Sequence, residues 1–195
     1  MNKKLDFKEL LTNTLTIGLK NFPSLLGCIV LWVLTIWIPY INVGTTIAIF
    51  TLPAALSKGK IISPLEIFDK KYFKFMGEFF LVSGLKSIIV FPAMFFLVIP
   101  AIVLSIAYSL STLLVIDKGK GVSEALNLSN KLTYGNKWTI FFANLAIGLV
   151  VIILFWILSK IWYVLGILVL LLAFPLYLGF KANVYGQLAG DVAEE

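Results

Sequence analysis

Lys86 stands in "FLVSGLKSIIVFP", a single ammonium group inside an apolar run. A positive charge at the centre of a membrane helix costs about 2.5–3.5 kcal/mol on insertion scales, so such a residue is a functional candidate by default. Glu78 lies eight residues earlier. Residues eight apart project from roughly one face of a helix, yet their separation of about 12 Å along the axis is too long for a simple bond. Asn144, together with Ser105, Tyr108, Ser109 and Thr112, adds polar groups to other apolar stretches. Two chemistries fit Lys86. It binds an anionic lipid or substrate in a cavity, or it snorkels and caps carbonyls freed by Pro92. The other polar residues line a pathway or hydrogen-bond between helices.

Much other chemistry is excluded. The chain has no His, so the commonest general base and a principal transition-metal ligand are missing. All 16 basic residues are Lys, which removes bidentate arginine clamps. The single Cys28 supports neither a disulfide framework nor a cysteine metal cluster. Intramembrane hydrolases need a Ser with a base, paired Asp or metal ligands, and the predicted spans contain no Asp or His. The sequence therefore reads as non-enzymatic, with no cofactor and no metal.

Helices must position these groups within a membrane. Hydrophobic residues make up 60% of the 195 and charged residues only 13%, against about a quarter charged in soluble domains. At roughly 20 apolar residues per span, about six spans fit. The opening "MNKKLDFKELLTNTLTIGLKNF" lacks the uninterrupted apolar core of a cleavable signal and reads as mature protein. Residues 5–22 place Phe7, Leu10, Leu11, Leu15, Ile17 and Phe22 on one helical arc, with Glu9, Asn13, Thr16 and Lys20 opposite, the pattern of a helix lying in the membrane surface. The first span starts at Pro23 and ends near Tyr40, "PYINVG" turns the chain, and the second span bends at Pro53.

Lys58-Gly59-Lys60 follows, then Ser63-Pro64-Leu65-Glu66, a capping box that starts a second surface helix with Leu65, Phe68, Tyr72 and Phe75 on one face. Spans three and four run from about residue 75 to 97 and from 100 to 116. The same tripeptide then returns as Lys118-Gly119-Lys120. Ser123 caps a third surface helix, whose Ala125, Leu128 and Leu132 face the membrane and which Gly135 stops. Spans five and six cover about 138–158 and 161–181, the latter containing Pro175, and Gly84, Gly148, Gly166 and Gly179 read as close-packing points within spans. The expected fold is thus all-α and polytopic: one membrane domain of about six spans in three hairpins, each preceded by an amphipathic surface helix. Its approximate units are 1–57, 58–117 and 118–185, with a short polar tail at 186–195.

In this arrangement all lysines outside the spans except Lys160 fall on one side, so the positive-inside rule puts both termini in the cytoplasm of a bacterial inner membrane. Lys58, Lys60, Lys70, Lys71, Lys118, Lys120, Lys131 and Lys137 are candidate contacts to anionic headgroups, each contributing about 1 kcal/mol near the leaflet. The same lysines are what topology alone requires. A net charge of +6 spread along a membrane face gives no nucleic-acid interface.

The segment "FFLVIPAIVLSIAYSLSTLLVIDKGKGVSEALNLSNKLTYGNKWTIFFANL" resembles the membrane domain fused to some bacterial glycerophosphoryl diester phosphodiesterases and related stand-alone membrane proteins. The matching positions are Pro100, Glu124, Ala125, Leu126, Ser129, Gly135, Trp138 and Phe141. The resemblance implies a polytopic helical fold with surface helices. It does not imply phosphodiesterase activity, which belongs to a separate soluble domain. The resulting expectation is a scaffold or accessory subunit that binds lipids, anionic ones included, a partner protein or a second copy at the cytoplasmic leaflet. The alternative is a small transporter or lipid-handling permease with Lys86 at its site.

Overall fold

The computed structural model describes residues 3–193, and among these there are helices and turns but no strand. The order is α1 (Phe7–Lys20), α2 (Phe22–Thr35), α3 (Pro39–Ser57), a 3-10 turn (Pro64–Phe68), α4 (Lys71–Lys74), α5 (Met76–Phe96), α6 (Val98–Ala107), α7 (Ser111–Lys118), α8 (Val122–Thr133), α9 (Lys137–Ile161) and α10 (Tyr163–Ala189). Five segments are long and apolar enough to cross a membrane: α3, α5, α6 with α7, α9 and α10. The pair α1 and α2, bent by 68° at their junction, makes a sixth if it counts as one broken span. The protein is all-α and polytopic, as its composition requires.

The last helix is the axis of the bundle. Between Leu178 and Ala189 it buries Leu178, Phe180, Ala182, Val184, Tyr185 and Leu188 on several sides at once, the mark of a helix enclosed by neighbours. One core joins it to α5, α7, α8 and α9, and a second to α2, α3 and the segment around Ile62–Tyr72. Gly186 packs on Ser57, so residues 186–189 complete the helix and are not a polar tail.

The first helix forms where its pattern predicts, with Asp6 accepting the Glu9 N–H as its cap, but it does not lie across the end of the bundle. It runs along α10 in the opposite direction. Asn183 donates to the Leu10 carbonyl at 2.8 Å, Gly179 meets Thr14, and Gly18 meets Pro175 and Leu176, four residues per step on both helices. The buried seam of Leu10, Thr14 and Gly18 runs down the middle of the apolar arc read from the sequence, and one edge of that arc, Leu11, Leu15 and Phe22, borders an apolar cavity against α9. Small residues made this possible, because backbones approach closely only where side chains are short.

Three further boundaries differ from expectation. The first span helix ends at Thr35 and the chain turns at Ile36–Ile38, because the residue before Pro39 is driven out of the helical region; "PYINVG" instead opens α3. That helix continues through Pro53. The second surface helix is broken into the 3-10 turn and the single turn α4. Asp69 is extended there and its Oδ1 accepts the Lys71 N–H, which also holds the Asp69 carboxyl below the usual carboxylate range. Glu66 makes no capping box; its carboxylate takes Lys60 at 2.8 Å and Lys71 at 3.5 Å. The third surface helix starts one residue before Ser123, after Gly121, and it turns Ala125, Leu126, Ser129 and Thr133 inward instead of to the membrane.

An interruption at Tyr108–Leu110 explains that inward turn. The fourth span is two helices, α6 and α7, and their junction leaves the Ala107 carbonyl and the Leu110 N–H without helical partners. The Ser129 hydroxyl serves both, donating to Ala107 at 2.6 Å and accepting from Leu110 at 3.2 Å. The bundle is laced elsewhere by the same means. Asn136, 2% exposed, accepts the Leu5 N–H at 2.8 Å and donates to the Lys3 carbonyl at 2.8 Å, holding the chain before α1 against the start of α9. Asn136→Ala leaves a buried N–H unpaired and is expected to cost ~1–3 kcal/mol. Thermal unfolding in detergent, with limited proteolysis before residue 7, checks this; unchanged cleavage would mean the tether is idle.

Both Lys-Gly-Lys tripeptides end a helix. Gly59 (φ +74°) and Gly119 (φ +70°) take the left-handed conformation after α3 and α7 that glycine alone adopts at no steric cost. The two ends sit side by side, since Lys58 Nζ meets Asp117 Oδ1 at 2.7 Å while the Tyr185 hydroxyl donates to Asp117 Oδ2 at 2.8 Å.

Candidate functional site

Five helices wall a cavity of about 420 Å³: α5 contributes Lys86, α6 and its junction Ser105 and Ser109, α7 Leu113, α9 Asn144, and α10 Tyr177 and Lys181. Each of the polar residues lies about 7–13 residues from the end of the bundle that gathers Lys58, Asp117 and the last turn of α10. At ~1.5 Å per residue this is a depth of roughly 10–20 Å, well inside a hydrocarbon layer about 30 Å thick. The depth of Lys86 thus follows from its sequence position. Its company does not, because that requires knowing which helices meet.

Glu78 is not part of this site. It is exposed on the first turn of α5 and does not line the cavity. Asn144 does line it. Lys181, which lysine counting assigns to the cytoplasmic rim, lines the cavity with Lys86 instead. Tyr177, Phe180, Lys181 and Val184 recur at i, i+3, i+4 and i+7, a stripe in the sequence that singles out this face of α10.

The polar groups divide by what they can offer. Ser105 and Ser109 donate to the carbonyls of Ile102 and Ile106 in their own helix, so their hydroxyl protons are used. The Lys181 ammonium sits 5.0 Å from the Tyr177 ring centre and 6.0 Å from that of Phe50, a cation–π setting that holds it in place without neutralising it. Among the described residues neither Lys86 nor Lys181 forms an ion pair or a hydrogen bond, and no acidic residue lines the cavity. Lys86 caps no carbonyl near Pro92. Two like charges in one low-dielectric recess repel, and an anion between them removes that repulsion. With the free Asn144 amide, the site offers donors and positive charge and no negative group.

No protein-family model, curated protein or solved structure matches the chain. The geometry therefore carries the functional reading.

The headgroup lysines nominated from sequence separate into classes. Lys58, Lys60 and Lys71 border a second cavity of about 270 Å³, each half-exposed and each paired with Asp117, Glu66 or Asp69. Lys70 and Lys131 are exposed, and Lys137 donates to Asn130 Oδ1. Lys118 is only 5% exposed and Lys120 reaches Glu124 at 3.6 Å with little exposure, so burial removes these two from the rim. Of the supposed packing glycines, Gly179 and Gly166 meet neighbours closely, whereas Gly84 and Gly148 face open space. Among the described residues no group of three His, Cys, Asp or Glu side chains is placed to hold a metal ion.

Proposed function

We propose that this is a non-enzymatic multi-pass protein of a bacterial inner membrane, with both termini cytoplasmic, that binds an anionic component of that membrane between Lys86 and Lys181. The lysine distribution supports the orientation. One observation carries the reading: two ammonium groups share a cavity at membrane depth and no acid lines it. Such a pair is costly when the cavity is empty and favourable when an anion fills it, which is how a binding site differs from a structural ion pair.

The test uses that asymmetry. Lys86→Met removes one charge while keeping an unbranched side chain. The lipid-free variant is expected to be at least as stable as the native protein in neutral detergent. Stabilisation by added phosphatidic acid, read by thermal shift, should weaken about ten-fold in concentration, the effect of one charge-assisted contact. Equal stabilisation of both proteins would sink the proposal.

A transport reading is favoured by one feature, the interruption of α6–α7 at Tyr108–Leu110 beside the cavity, since discontinuous helices line many transporter sites. It predicts leaflet-to-leaflet movement of anionic lipid in proteoliposomes that Lys86→Met abolishes; retention without movement leaves binding alone.

A further inference from the structure

The two-lysine site is built for an anion, and an anion at that depth arrives either free, from the aqueous phase, or attached to a lipid. We infer that it is the headgroup phosphate of a lipid, with one acyl chain of that lipid lying in a groove along α5. This rests on the anion-binding reading above and specifies its ligand.

The inference comes from what adjoins the cavity. A second recess of about 320 Å³ shares Lys86 and Ser105 with it and continues over Ser87, Val90, Phe91 and Met94. Positions 86–87, 90–91 and 94 recur every four residues, so they form one stripe on α5 that leaves Lys86 and runs about 12 Å toward the α5–α6 turn. Beyond Lys86 and the two serines the stripe is wholly apolar. A hydrated ion gains nothing from such an extension, whereas an amphiphile is matched at both ends: charge at Lys86 and Lys181, hydrocarbon on Val90, Phe91 and Met94.

The opening points the same way. Ser105 and Asn144 are exposed and Tyr177 is 42% exposed, all three inside their spans and not at the end of the bundle. The mouth therefore faces sideways, where the neighbouring phase is lipid. A phosphate carried on glycerol reaches that side opening with its chains still in the bilayer, and the groove gives one chain a place to lie while the other remains among the lipids. Phosphate suits the donor set because two ammoniums and one amide line the same cavity, where a group with several acceptor oxygens can take more than one of them, and no carboxylate lines it to pair with a headgroup amine.

The test is photolabelling in phosphatidylcholine nanodiscs doped with phosphatidic acid that carries a diazirine midway along one acyl chain, with the labelled peptides identified by mass spectrometry. Labelling should concentrate on residues 90–94 and be displaced by unlabelled phosphatidic acid. It should fall about ten-fold in the Lys86→Met, Lys181→Met double variant, consistent with loss of the charge-assisted contacts. A phosphatidylcholine probe with the same diazirine should label exposed helices without this focus. Val90→Trp fills the groove and leaves the lysines; it should lose the focus while inorganic phosphate still shifts its melting temperature as it does the native protein's, which also shows that the variant is folded. Equal labelling of 90–94 by the two probes, or no effect of the lysine substitutions, overturns the inference. If inorganic phosphate stabilises the native protein through Lys86 and residues 90–94 are not labelled, the ligand is a free anion: the acyl groove fails and the anion site stands. If neither phosphate nor phosphatidic acid acts through the lysines, both fail together.

Discussion

Gly179→Leu will detach α1 from the bundle and lower the melting temperature by roughly 8–15 °C. A Cβ at this position would stand 2.8 Å from the Thr14 carbonyl oxygen and 2.9 Å from the Gly18 nitrogen, and both are backbone atoms that no rotamer change can move. Overpacking costs ~1–3 kcal/mol where neighbours can adjust, and here the upper end applies. Separation also breaks the Asn183–Leu10 bond, worth about another 1 kcal/mol. For a chain of this length each kcal/mol corresponds to roughly 2–4 °C. Gly84→Leu is the control. Nothing lies within 4 Å of that position, so its substitution should stay within about 0.5 kcal/mol. Thermal unfolding of the two variants in one detergent decides the matter, and comparable losses would refute the assigned helix contact.

Ser129→Ala is the second large effect. The hydroxyl is fully buried and is the bridge across the α6–α7 interruption. Without it the Leu110 N–H loses its partner and the Ala107 carbonyl keeps only a long contact of 3.5 Å from Thr133. Unpaired buried backbone groups cost ~1–3 kcal/mol each, and at membrane depth there is little water to replace the lost bond. A loss of about 2–4 kcal/mol is expected, with faster hydrogen exchange at the Leu110 amide, and Ser129→Thr should recover most of it. A loss below about 0.5 kcal/mol would mean that another group fills the gap.

The sequence made the helices legible because their signals are local. Apolar runs, Pro23 at a helix start and a glycine after each lysine-flanked helix end can all be recognised within a few residues. Lys86 was legible for the same reason, as one charge in an apolar run. What the sequence does not display is partnership over long separations. Thr14 and Gly18 read as ordinary small residues, and Gly179 as a packing point of unstated partner, until α1 is laid on α10, and Lys181 reads as rim charge until its helix turns it toward Lys86. Ser129 looks like a polar residue of an exposed helix because the interruption that it repairs lies 19–22 residues upstream. The broken second surface helix was missed for a smaller reason: Asp69 competes for the Lys71 N–H, and side-chain competition of this kind leaves no trace in hydrophobic periodicity.

The pairing of α1 with α10 also sets an order of events during synthesis. Leu10 must wait for Asn183, 173 residues later. At ribosomal speeds of ~5–20 residues per second that interval is on the order of 10–30 s. Throughout it the first helix is made but its final groove is not, so it has to reside somewhere tolerable. Its opposed apolar and polar faces suit the boundary between lipid and water, and the surface-helix pattern in residues 5–22 describes this waiting position. The folded protein then buries the middle of the same apolar face, the narrow seam of Leu10, Thr14 and Gly18, so one face of a fourteen-residue helix meets two successive environments.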